Sequence, residues 1–355
     1  MPDLENIKPL DPETIALMAG PCSAESREQT VTTARELAAM GVHTFRAGLW
    51  KPRTHPGGFE GHGVAALPWL IEAKEVTGMN VATEVATPEH TRLCLDAGVD
   101  ILWIGARTTA NPFAVQAIAD ALAQAERKPI VLVKNPVSPD LELWIGALQR
   151  LADAGVARLG AILRGFSAYG ELVYRNRPHW SIAFELKRRF PNLSVVCDPS
   201  HIAGRRGLVE DVARKAVNLR FDGLMIEVHQ HPESALSDSA QQLTPAALDR
   251  LINDLKKQRA EDSPAHDTAL DDLREQIDRL DESLIEILAR RMELSQRIGQ
   301  YKHQRGMSVV QPLRYHEMMD KRSGQGAQLG MSPDFIHRIF TSIHEESVRR
   351  QLDSN

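Results

Sequence analysis

The sequence lacks the features that mark secreted, membrane and nucleic-acid-binding proteins. Its three cysteines (Cys22, Cys94 and Cys197) are odd in number and far apart, which argues against a disulfide framework and fits a reduced cytoplasm. No apolar run reaches transmembrane length, and the N-terminus, MPDLENIKPLDPE, is too polar and acidic for a signal peptide. A net charge of -5 gives no support to nucleic-acid or membrane-surface binding. We expect a cytoplasmic globular protein, whose 355 residues suffice for two domains or one large one.

What the sequence does contain is a regular alternation between residues 15 and 258. Eight short apolar runs, typical of buried strands, occur at 15–20, 42–47, 79–84, 100–105, 129–134, 158–164, 193–198 and 222–228. A helix candidate follows each of them, the last near 244–258. Eight strand–helix repeats over roughly 250 residues predict an α/β fold, the (β/α)8 TIM barrel. A doubly wound open sheet is the alternative, but it usually has fewer repeats.

Polar residues recur at the ends of the predicted strands. Those that carry charge or sulfur are Cys22, Arg46, Lys51, Glu84, Arg107, Lys134, Arg164, Asp198, His201, Glu227 and Asp238. In a barrel of this type the carboxyl ends of all strands converge on one face, where active sites lie. Core packing does not explain charged residues at so many strand ends, so we expect a functional site there.

Cations are most crowded in the stretch RAGLWKPRT (46–54), which follows the second strand. Arg46, Lys51 and Arg53 lie there within eight residues. Crowded cations repel one another and are tolerated where a phosphate or carboxylate neutralises them. A solvated basic loop is the alternative. The whole cationic set, able to hold two phosphates and a carboxylate, is Arg46, Arg53, Arg107, Lys134 and Arg164.

A second set of strand-end residues combines sulfur, nitrogen and oxygen ligands. It consists of Cys22, His201, Glu227 and Asp238. These ligands suit manganese, iron, cobalt or zinc better than calcium or magnesium. Taken singly, Cys22 could be a small buried hydrophobe and His201 a loop histidine. His229 and His231 flank the same region and compete as ligands, so spacing alone leaves the set open.

The motifs of residues 12–258 resemble those of one enzyme family. They are GPCSAES (20–26), RAGLWKPRT (46–54), GAR (105–107), VLVKN (131–135), ILRG (162–165), CDPSH (197–201), IEVH (226–229) and SDSAQQL (237–243). Together they are similar to the 3-deoxy-D-arabino-heptulosonate 7-phosphate (DAHP) synthases, best to their shorter type I-beta branch. The related 3-deoxy-D-manno-octulosonate 8-phosphate synthases share the barrel but lack the KPRT element. Residues 51–54 therefore favour the heptulosonate enzymes.

The resemblance implies condensation of phosphoenolpyruvate with erythrose 4-phosphate and release of inorganic phosphate. By motif, Arg107, Lys134 and Arg164 would hold the phosphate of phosphoenolpyruvate, and Arg46 and Lys51 would meet its carboxylate end. Lys51, Arg53 and Thr54 would hold the erythrose phosphate, and Lys51 could also move a proton. Cys22, His201, Glu227 and Asp238 would bind the divalent metal.

The remainder of the chain has a different pattern. The charged stretch at 256–269 contains Pro264 and no apolar periodicity, so we place a linker at 259–269 between a barrel of residues 1–258 and a helical domain of 270–355. Apolar residues from Leu270 to Tyr301 predict one long helix to about residue 304. Pro312 opens a second helix, which we expect Gly324 and Gly326 to end near residue 322, and Ser332 caps a third that reaches about 351.

The helical domain resembles the all-helical AroQ-type chorismate mutases, which convert chorismate to prephenate. The match lies in LREQIDRLDESLIEILARR (273–291), IGQYK (298–302), Arg314 and SVRRQ (347–351). It implies a site formed by Arg274 of a partner chain with Arg291, Lys302, Arg314, Ser347 and Gln351. The family often has Asp and Glu where this chain has Gln311 and Tyr315, which affects contacts to the substrate hydroxyl.

Two expectations about assembly and control follow. The first helix, on the order of 50 Å long, is too long for a three-helix unit to cover its apolar stripe, which predicts a homodimer. Only about 14 residues precede the first strand, so the helical domain is the one candidate regulator, with chorismate or prephenate as inhibitor of the synthase. The alternative is that this domain only binds ligands or dimerises, without catalysis.

Overall fold

The computed structural model of the chain describes residue 4 and residues 7–52, 57–170, 173–261, 268–309 and 312–353. The chain forms two compact units, Met1–Asp262 and Ser263–Asn355, each of which is considered by itself. In the part of the chain that is described, no helix is both long enough and apolar enough to cross a membrane.

The first unit is a closed barrel, as predicted. Its strands are β1 (Leu17–Gly20), β2 (Thr44–Arg46), β3 (Asn80–Val85), β4 (Ile101–Ile104), β5 (Ile130–Lys134), β6 (Leu159–Leu163), β7 (Ser194–Cys197) and β8 (Gly223–Glu227). Each strand pairs in parallel with the next, and β8 pairs with β1 to close the ring, Gly20 lying opposite Glu227. All eight strands fall inside the apolar runs of the sequence or within one residue of them.

The barrel is built from two apolar layers. Inside the ring, inward-facing residues such as Met18, Trp103 and Leu132 pack into one cluster. A second cluster lies between the strands and the surrounding helices. Strand β4 is buried along its whole length, as expected for strands covered on both faces. Each fully buried large apolar side chain stabilises the fold by about 1.5–3 kcal/mol.

Helices separate the strands and cover the barrel. They are α1 (Pro12–Ile15), α2 (Arg27–Ala39), α3 (Leu67–Thr77), α4 (Pro88–Asp96), α5 (Ala106–Thr109), α6 (Pro112–Ala123), α7 (Leu141–Asp153), α8 (Trp180–Arg189), α9 (Pro199–Ala203), α10 (Val209–Asn218) and α11 (Pro245–Glu261). Short polar side chains begin several of them: the side chain of Thr87 accepts a hydrogen bond from the backbone N–H of His90 at the start of α4. Gly78 ends α3 with a φ of 72°, a left-handed conformation that glycine adopts without strain.

The second unit consists of three helices, α12 (Thr268–Gln304), α13 (Pro312–Gln328) and α14 (Pro333–Leu352). The Ser332 side chain accepts a hydrogen bond from the backbone N–H of Phe335 and caps α14 as expected. The predicted end of the second helix was wrong, because α13 continues through both glycines. Gly326 packs against Ile336 of α14, so it permits close contact between the helices instead of ending one. Helix α11 extends to Glu261, and 262–267 of the predicted linker lies outside the described residues.

The two glycines of α13 provide a matched test of this packing. A Cβ at Gly324 would meet no atom within 4 Å, whereas one at Gly326 would lie 2.3 Å from Ile336 Cγ1. We expect Gly324→Ala to raise the free energy of unfolding of the helical unit by about 1 kcal/mol through helix propensity. Gly326→Ala should lower it by about 1–2 kcal/mol through overpacking. Calorimetric unfolding of the full chain measures both, and equal effects would contradict close packing of α13 on α14.

Candidate active sites

A cavity of about 570 Å³ opens at the carboxyl ends of the barrel strands. Its walls come from segments that follow different strands, which explains why residues far apart in sequence meet there. The polar side chains that line it are Lys51, Glu84, Arg107, Lys134, Arg164, Arg175, His201, Ser237 and Asp238. Six of the predicted site residues are therefore in this wall: Lys51, Arg107, Lys134, Arg164, His201 and Asp238.

Positive charge dominates one side of the cavity. Lys134 at the end of β5 is 4% exposed, and Arg164 follows β6 directly. The Arg164 guanidinium donates to Asn176 Oδ1 at 2.8 Å, which directs it across the loop after β6. Burial and the nearby Arg175 and Arg107 lower the pKa of Arg164 to about 10, although Asp198 opposes the shift. Arg164 remains charged at neutral pH, and an anion beside it would relieve the repulsion.

Asp198 is the buried carboxylate that balances this charge. Lys134 Nζ donates to Asp198 Oδ2 at 2.8 Å, and His201 Nδ1 lies 2.8 Å from the same oxygen. Asp198 has no exposed surface, which by itself would raise its pKa, but its contacts with His201 and Lys134 hold that pKa well below the ordinary value. Burial lowers the pKa of His201 although the nearby Asp198 opposes the shift, which favours the neutral imidazole at neutral pH.

Three of the four predicted metal ligands, Cys22, Glu227 and Asp238, lie together beside the cavity, and the fourth, His201, is not part of that group. Ligand atoms of Cys22, Glu227 and Asp238 all lie within 4.8 Å of one another, and His201 Nε2 is 3.8 Å from Glu227 Oε1. Burial raises the pKa of the Cys22 thiol to about 12, and the negative charge of Glu227 adds to this effect. A thiol, two carboxylates and a neutral imidazole form a donor set that fits a borderline divalent ion.

Two predicted substrate-binding cations, Arg46 and Lys51, contact the predicted metal ligands. Arg46 is 1% exposed, and its guanidinium donates to Glu227 Oε1 at 3.1 Å and to the Cys22 carbonyl at 3.2 Å. It therefore supports the predicted ligands, while its contact with substrate stays a prediction. Lys51 Nζ lies 3.0 Å from Cys22 Sγ. Burial would lower the pKa of Lys51, but Cys22, Glu227 and Glu84 raise it above the ordinary value, so the ammonium form persists.

Three residues of the barrel site received no role from sequence. Trp103 Nε1 donates to Glu84 Oε2 at 3.1 Å, and its ring lies 4.8 Å from the Arg46 guanidinium carbon. The indole thus gives the buried cation a favourable aromatic face. Arg175 donates to Asp238 Oδ1 at 3.1 Å. Of these three residues, only Glu84 follows the strand-end pattern that predicts site residues. Trp103 is one of several apolar residues in its strand, and Arg175 lies in an irregular loop.

The helical unit brings four predicted residues together. Arg291 Nη1 of α12 donates to Ser347 Oγ of α14, and Lys302 Nζ donates to Gln351 Oε1 at 3.2 Å. Ser347 and Gln351 are 4% and 8% exposed. Two cations with two hydrogen-bonding side chains form a cluster able to receive an anion. We refer to Arg291, Lys302, Ser347 and Gln351 as the helical cluster.

The remaining predicted residues are not placed in either cluster. Arg314 of α13 is exposed and lies 3.6 Å from Glu317, its neighbour one turn on. Arg53, Thr54 and Gln311 lie outside the described residues, as does the side chain of Arg274. Their roles remain predictions.

A closed barrel with a cationic cavity at the carboxyl ends of its strands defines an enzyme of the (β/α)8 class. Within that class, the family model described as "DAHP synthetase I family" matches residues 7–261, and "Chorismate mutase type II" matches residues 273–352. The chain therefore belongs to the DAHP synthetase I family and carries a C-terminal chorismate mutase type II domain.

Individual relatives agree with these matches. Phospho-2-dehydro-3-deoxyheptonate aldolase of Thermotoga maritima is 36% identical over 241 residues, which cover 68% of this chain and 69% of the relative. 2-Dehydro-3-deoxyphosphooctonate aldolase of a Chelativorans species is 30% identical over 263 residues, 67% of this chain and 90% of the relative. The T-protein of Haemophilus influenzae is 38% identical over 83 residues, 23% of this chain and 22% of the relative. A crystal structure of the Thermotoga maritima DAHP synthase superposes with a TM-score of 0.63 at 31% identity, covering 70% of this chain and 69% of that one.

Removal of the Asp198 charge tests its place between Lys134 and His201. Asp198→Asn should lower the free energy of unfolding of the barrel by about 3–5 kcal/mol, because it leaves the buried Lys134 ammonium without its counter-ion. The control is Glu72→Gln, since Glu72 pairs with Arg27, whose side chain is 67% exposed, and should cost about 0–1 kcal/mol. Denaturant unfolding measures both, and a loss for Asp198→Asn no larger than the control would contradict the pairing.

Proposed function

We propose that the barrel condenses phosphoenolpyruvate with erythrose 4-phosphate to give DAHP and inorganic phosphate. The observation that carries this proposal is one cavity that holds Arg107, Lys134 and Arg164 and borders the Cys22–Glu227–Asp238 group. The three cations suit the phosphate and carboxylate groups of the substrates. The Cys22–Glu227–Asp238 group suits a metal ion that activates an aldehyde.

The cations hold and orient phosphoenolpyruvate. Arg107, Lys134 and Arg164 bind its phosphate, and Lys51, which lines the same cavity, meets its carboxylate end. Because Asp198 fixes Lys134 and Asn176 fixes Arg164, these donors reorganise little when the substrate arrives. Arg53 and Thr54 bind the phosphate of erythrose 4-phosphate. The enol carbon then attacks the aldehyde carbon, water adds at the neighbouring carbon, and phosphate leaves.

A divalent metal completes the site. Cys22, His201, Glu227 and Asp238 would hold it, while Arg46 contacts Glu227 and Asp198 contacts His201, so that these two ligands keep their orientation. When bound, the ion supplies Lewis-acid polarisation of the aldehyde oxygen. The proposal gives Lys51, which is protonated at neutral pH, the role of donating a proton to the oxygen that gains charge during attack. The metal is manganese, iron, cobalt or zinc.

Metal removal is the direct test of the synthase proposal. A chelator should abolish release of phosphate from phosphoenolpyruvate and erythrose 4-phosphate, and added Mn²⁺ should restore it. Asp238→Asn should weaken Mn²⁺ binding by about 10-fold or more. Glu233→Gln, which changes an exposed carboxylate in the same loop, should bind the ion as the wild type does.

The outcome that contradicts the metal role is full activity in chelator. Substrate identity is checked in the same assay, because arabinose 5-phosphate replaces erythrose 4-phosphate as acceptor in the octulosonate enzymes. A faster reaction with arabinose 5-phosphate would overturn the heptulosonate assignment in favour of its relative.

The helical unit, we propose further, rearranges chorismate to prephenate in a homodimer. Arg291 and Lys302 supply fixed cations for a dicarboxylate and for the ether oxygen as it gains charge. Support for a dimer comes from α12, where Leu273, Ile277 and Leu280 are between 56% and 69% exposed. Such an apolar row on one helix suits a second copy of the chain, which would also bring its Arg274 to the cluster.

Mixing two inactive variants tests the shared site. Arg274→Ala and Arg291→Ala should each lower kcat/KM for chorismate by about 100-fold or more, because each removes a cation that acts in the transition state. After unfolding and refolding together, roughly a quarter of wild-type activity should return, since half of the dimers then carry one intact site. Arg349→Ala, which removes an exposed arginine of α14, is the control. No recovery would contradict a site built from two chains.

Ligand binding at the helical unit is proposed to control the synthase. Prephenate or chorismate bound there would lower synthase activity. We expect saturating prephenate to lower the rate of phosphate release about fivefold or more, and Arg291→Ala to weaken this response relative to its own uninhibited rate. Unchanged synthase kinetics at saturating prephenate would contradict regulation and leave the helical domain with catalysis alone.

A further inference from the structure

Two adjacent glutamines, Gln241 and Gln242, are buried beside the predicted metal ligands. They are 1% and 0% exposed. A buried amide costs free energy unless both its oxygen and its nitrogen find hydrogen-bond partners. The backbone next to them is tied to the end of β8: Leu243 donates to the Glu227 carbonyl at 2.9 Å, and His229 donates to the Leu243 carbonyl at 2.9 Å. Both side chains therefore start from a fixed backbone.

Gln242 links the segment after β1 to the segment after β8. Its Oε1 accepts a hydrogen bond from the backbone N–H of Cys22 at 2.9 Å, and its Nε2 donates to the Ser237 carbonyl at 2.8 Å. Ser237 directly precedes Asp238, whose φ of 46° is a left-handed conformation that residues other than glycine seldom adopt. One amide thus holds the backbone at or beside two predicted ligands, Cys22 and Asp238.

Gln241 contacts the third ligand of this group. Its Nε2 donates to Glu227 Oε2 at 2.7 Å, and its Oε1 accepts from Arg175 Nη1 at 2.9 Å. The same nitrogen of Arg175 donates to Asp238 Oδ1 at 3.1 Å. The amide orients the Glu227 carboxylate and adds no charge. A cation at this position would oppose a divalent ion, and a carboxylate would repel Glu227.

The carboxylates of the Cys22–Glu227–Asp238 group repel each other. The ligand atoms of all three residues lie within 4.8 Å of one another, a distance at which two negative charges interact unfavourably. Side chains that were free to rotate would separate until a cation arrived. The two glutamines oppose this separation, because each uses both ends of its amide to connect a ligand to a second segment of the chain.

We propose that Gln241 and Gln242 are positioning residues that preorganise the metal ligands, Gln242 through the backbone of Cys22 and Gln241 through the carboxylate of Glu227. This inference rests on the proposed metal-dependent synthase and deepens it. Ligands that are already in place lose less conformational entropy when the ion binds, so the affinity for the ion is higher. Contacts behind the ligands change metal affinity by about 10–100-fold.

The test uses Co²⁺ and the full chain. A cobalt–thiolate bond gives a charge-transfer absorption in the near ultraviolet, which reports Cys22 separately from the oxygen and nitrogen ligands. Gln242→Met should raise the Kd of Co²⁺, measured by calorimetry, about 10-fold or more. It should also lower the thiolate absorption at saturating Co²⁺, because the backbone of Cys22 is no longer held. Gln241→Met should raise the Kd by a similar factor and leave that absorption unchanged, since it contacts Glu227.

The control is Gln149→Met, because Gln149 lies on α7 and donates to Asp153 one turn further along that helix. It should bind Co²⁺ with the affinity and the thiolate absorption of the wild type. Wild-type affinity in Gln241→Met or Gln242→Met would overturn the inference. Full thiolate absorption in Gln242→Met at saturating Co²⁺ would overturn it as well, since a merely structural role moves the affinity alone.

Two further comparisons keep the outcomes separate. Should Gln242→Met fail to fold, Gln242→Asn keeps the amide but shortens its reach by one methylene, and it should show the same loss of thiolate absorption. The proposed function is judged on the wild type: a chain that binds no Co²⁺, or binds it without thiolate absorption, contradicts the predicted ligands. If the wild type shows both and Gln242→Met matches it, only the role of the glutamines is wrong.

Discussion

A single buried carboxylate, Asp198, links the two parts of the barrel site. One of its oxygens contacts Lys134, which lines the cavity, and also His201, whose Nε2 lies 3.8 Å from Glu227, a predicted metal ligand. A buried charge is tolerated only with partners, so neither the lysine nor the aspartate could occupy this position without the other. Asp198 thereby fixes the distance between Lys134, the predicted anion-binding residue, and His201, the predicted metal ligand.

Both units use fixed cations that are only partly balanced by acids. In the barrel, burial and then the charges of the nearby Arg175 and Arg107 lower the pKa of Arg164. In the helical unit, burial and then the charge of the nearby Arg322 lower the pKa of Arg291. Repulsion of this kind costs stability in the free protein and is relieved when an anionic ligand binds. Two unrelated folds thus share preorganised positive charge, which we propose receives phosphates in one unit and carboxylates in the other.

The barrel could be predicted from sequence because its strands are buried on both faces and its charges recur at their ends. Apolar runs such as 129–134 marked β5, and Lys134 at the end of that run marked the site. Residues that act through contacts between distant segments could not be predicted in this way. Arg175, for example, lies in a loop without periodicity and contacts Asp238, which is 63 residues away in sequence. Trp103 reads as one more apolar strand residue, although its ring lies under two cations.

The end of α13 was predicted wrongly because the role of a glycine also depends on distant contacts. A glycine ends a helix when it takes a left-handed conformation, but inside a helix it can instead admit a neighbouring helix. Gly326 does the latter, against Ile336, and only the tertiary structure separates the two cases. Tyr315 was likewise noticed as a departure from a family pattern, and its partner His344 became apparent only from the packing of α13 on α14.

The central claim is that the cations at the carboxyl ends of the strands bind phosphoenolpyruvate. Strand β5 allows a direct measurement, because Lys134 ends it on the cavity side while Lys128 precedes it and donates to the Leu122 carbonyl. Calorimetric titration of phosphoenolpyruvate should show binding to the wild type and to Lys128→Met, and a loss of at least about 10-fold in affinity for Lys134→Met. Wild-type affinity in Lys134→Met, or an equal loss in Lys128→Met, would contradict the account.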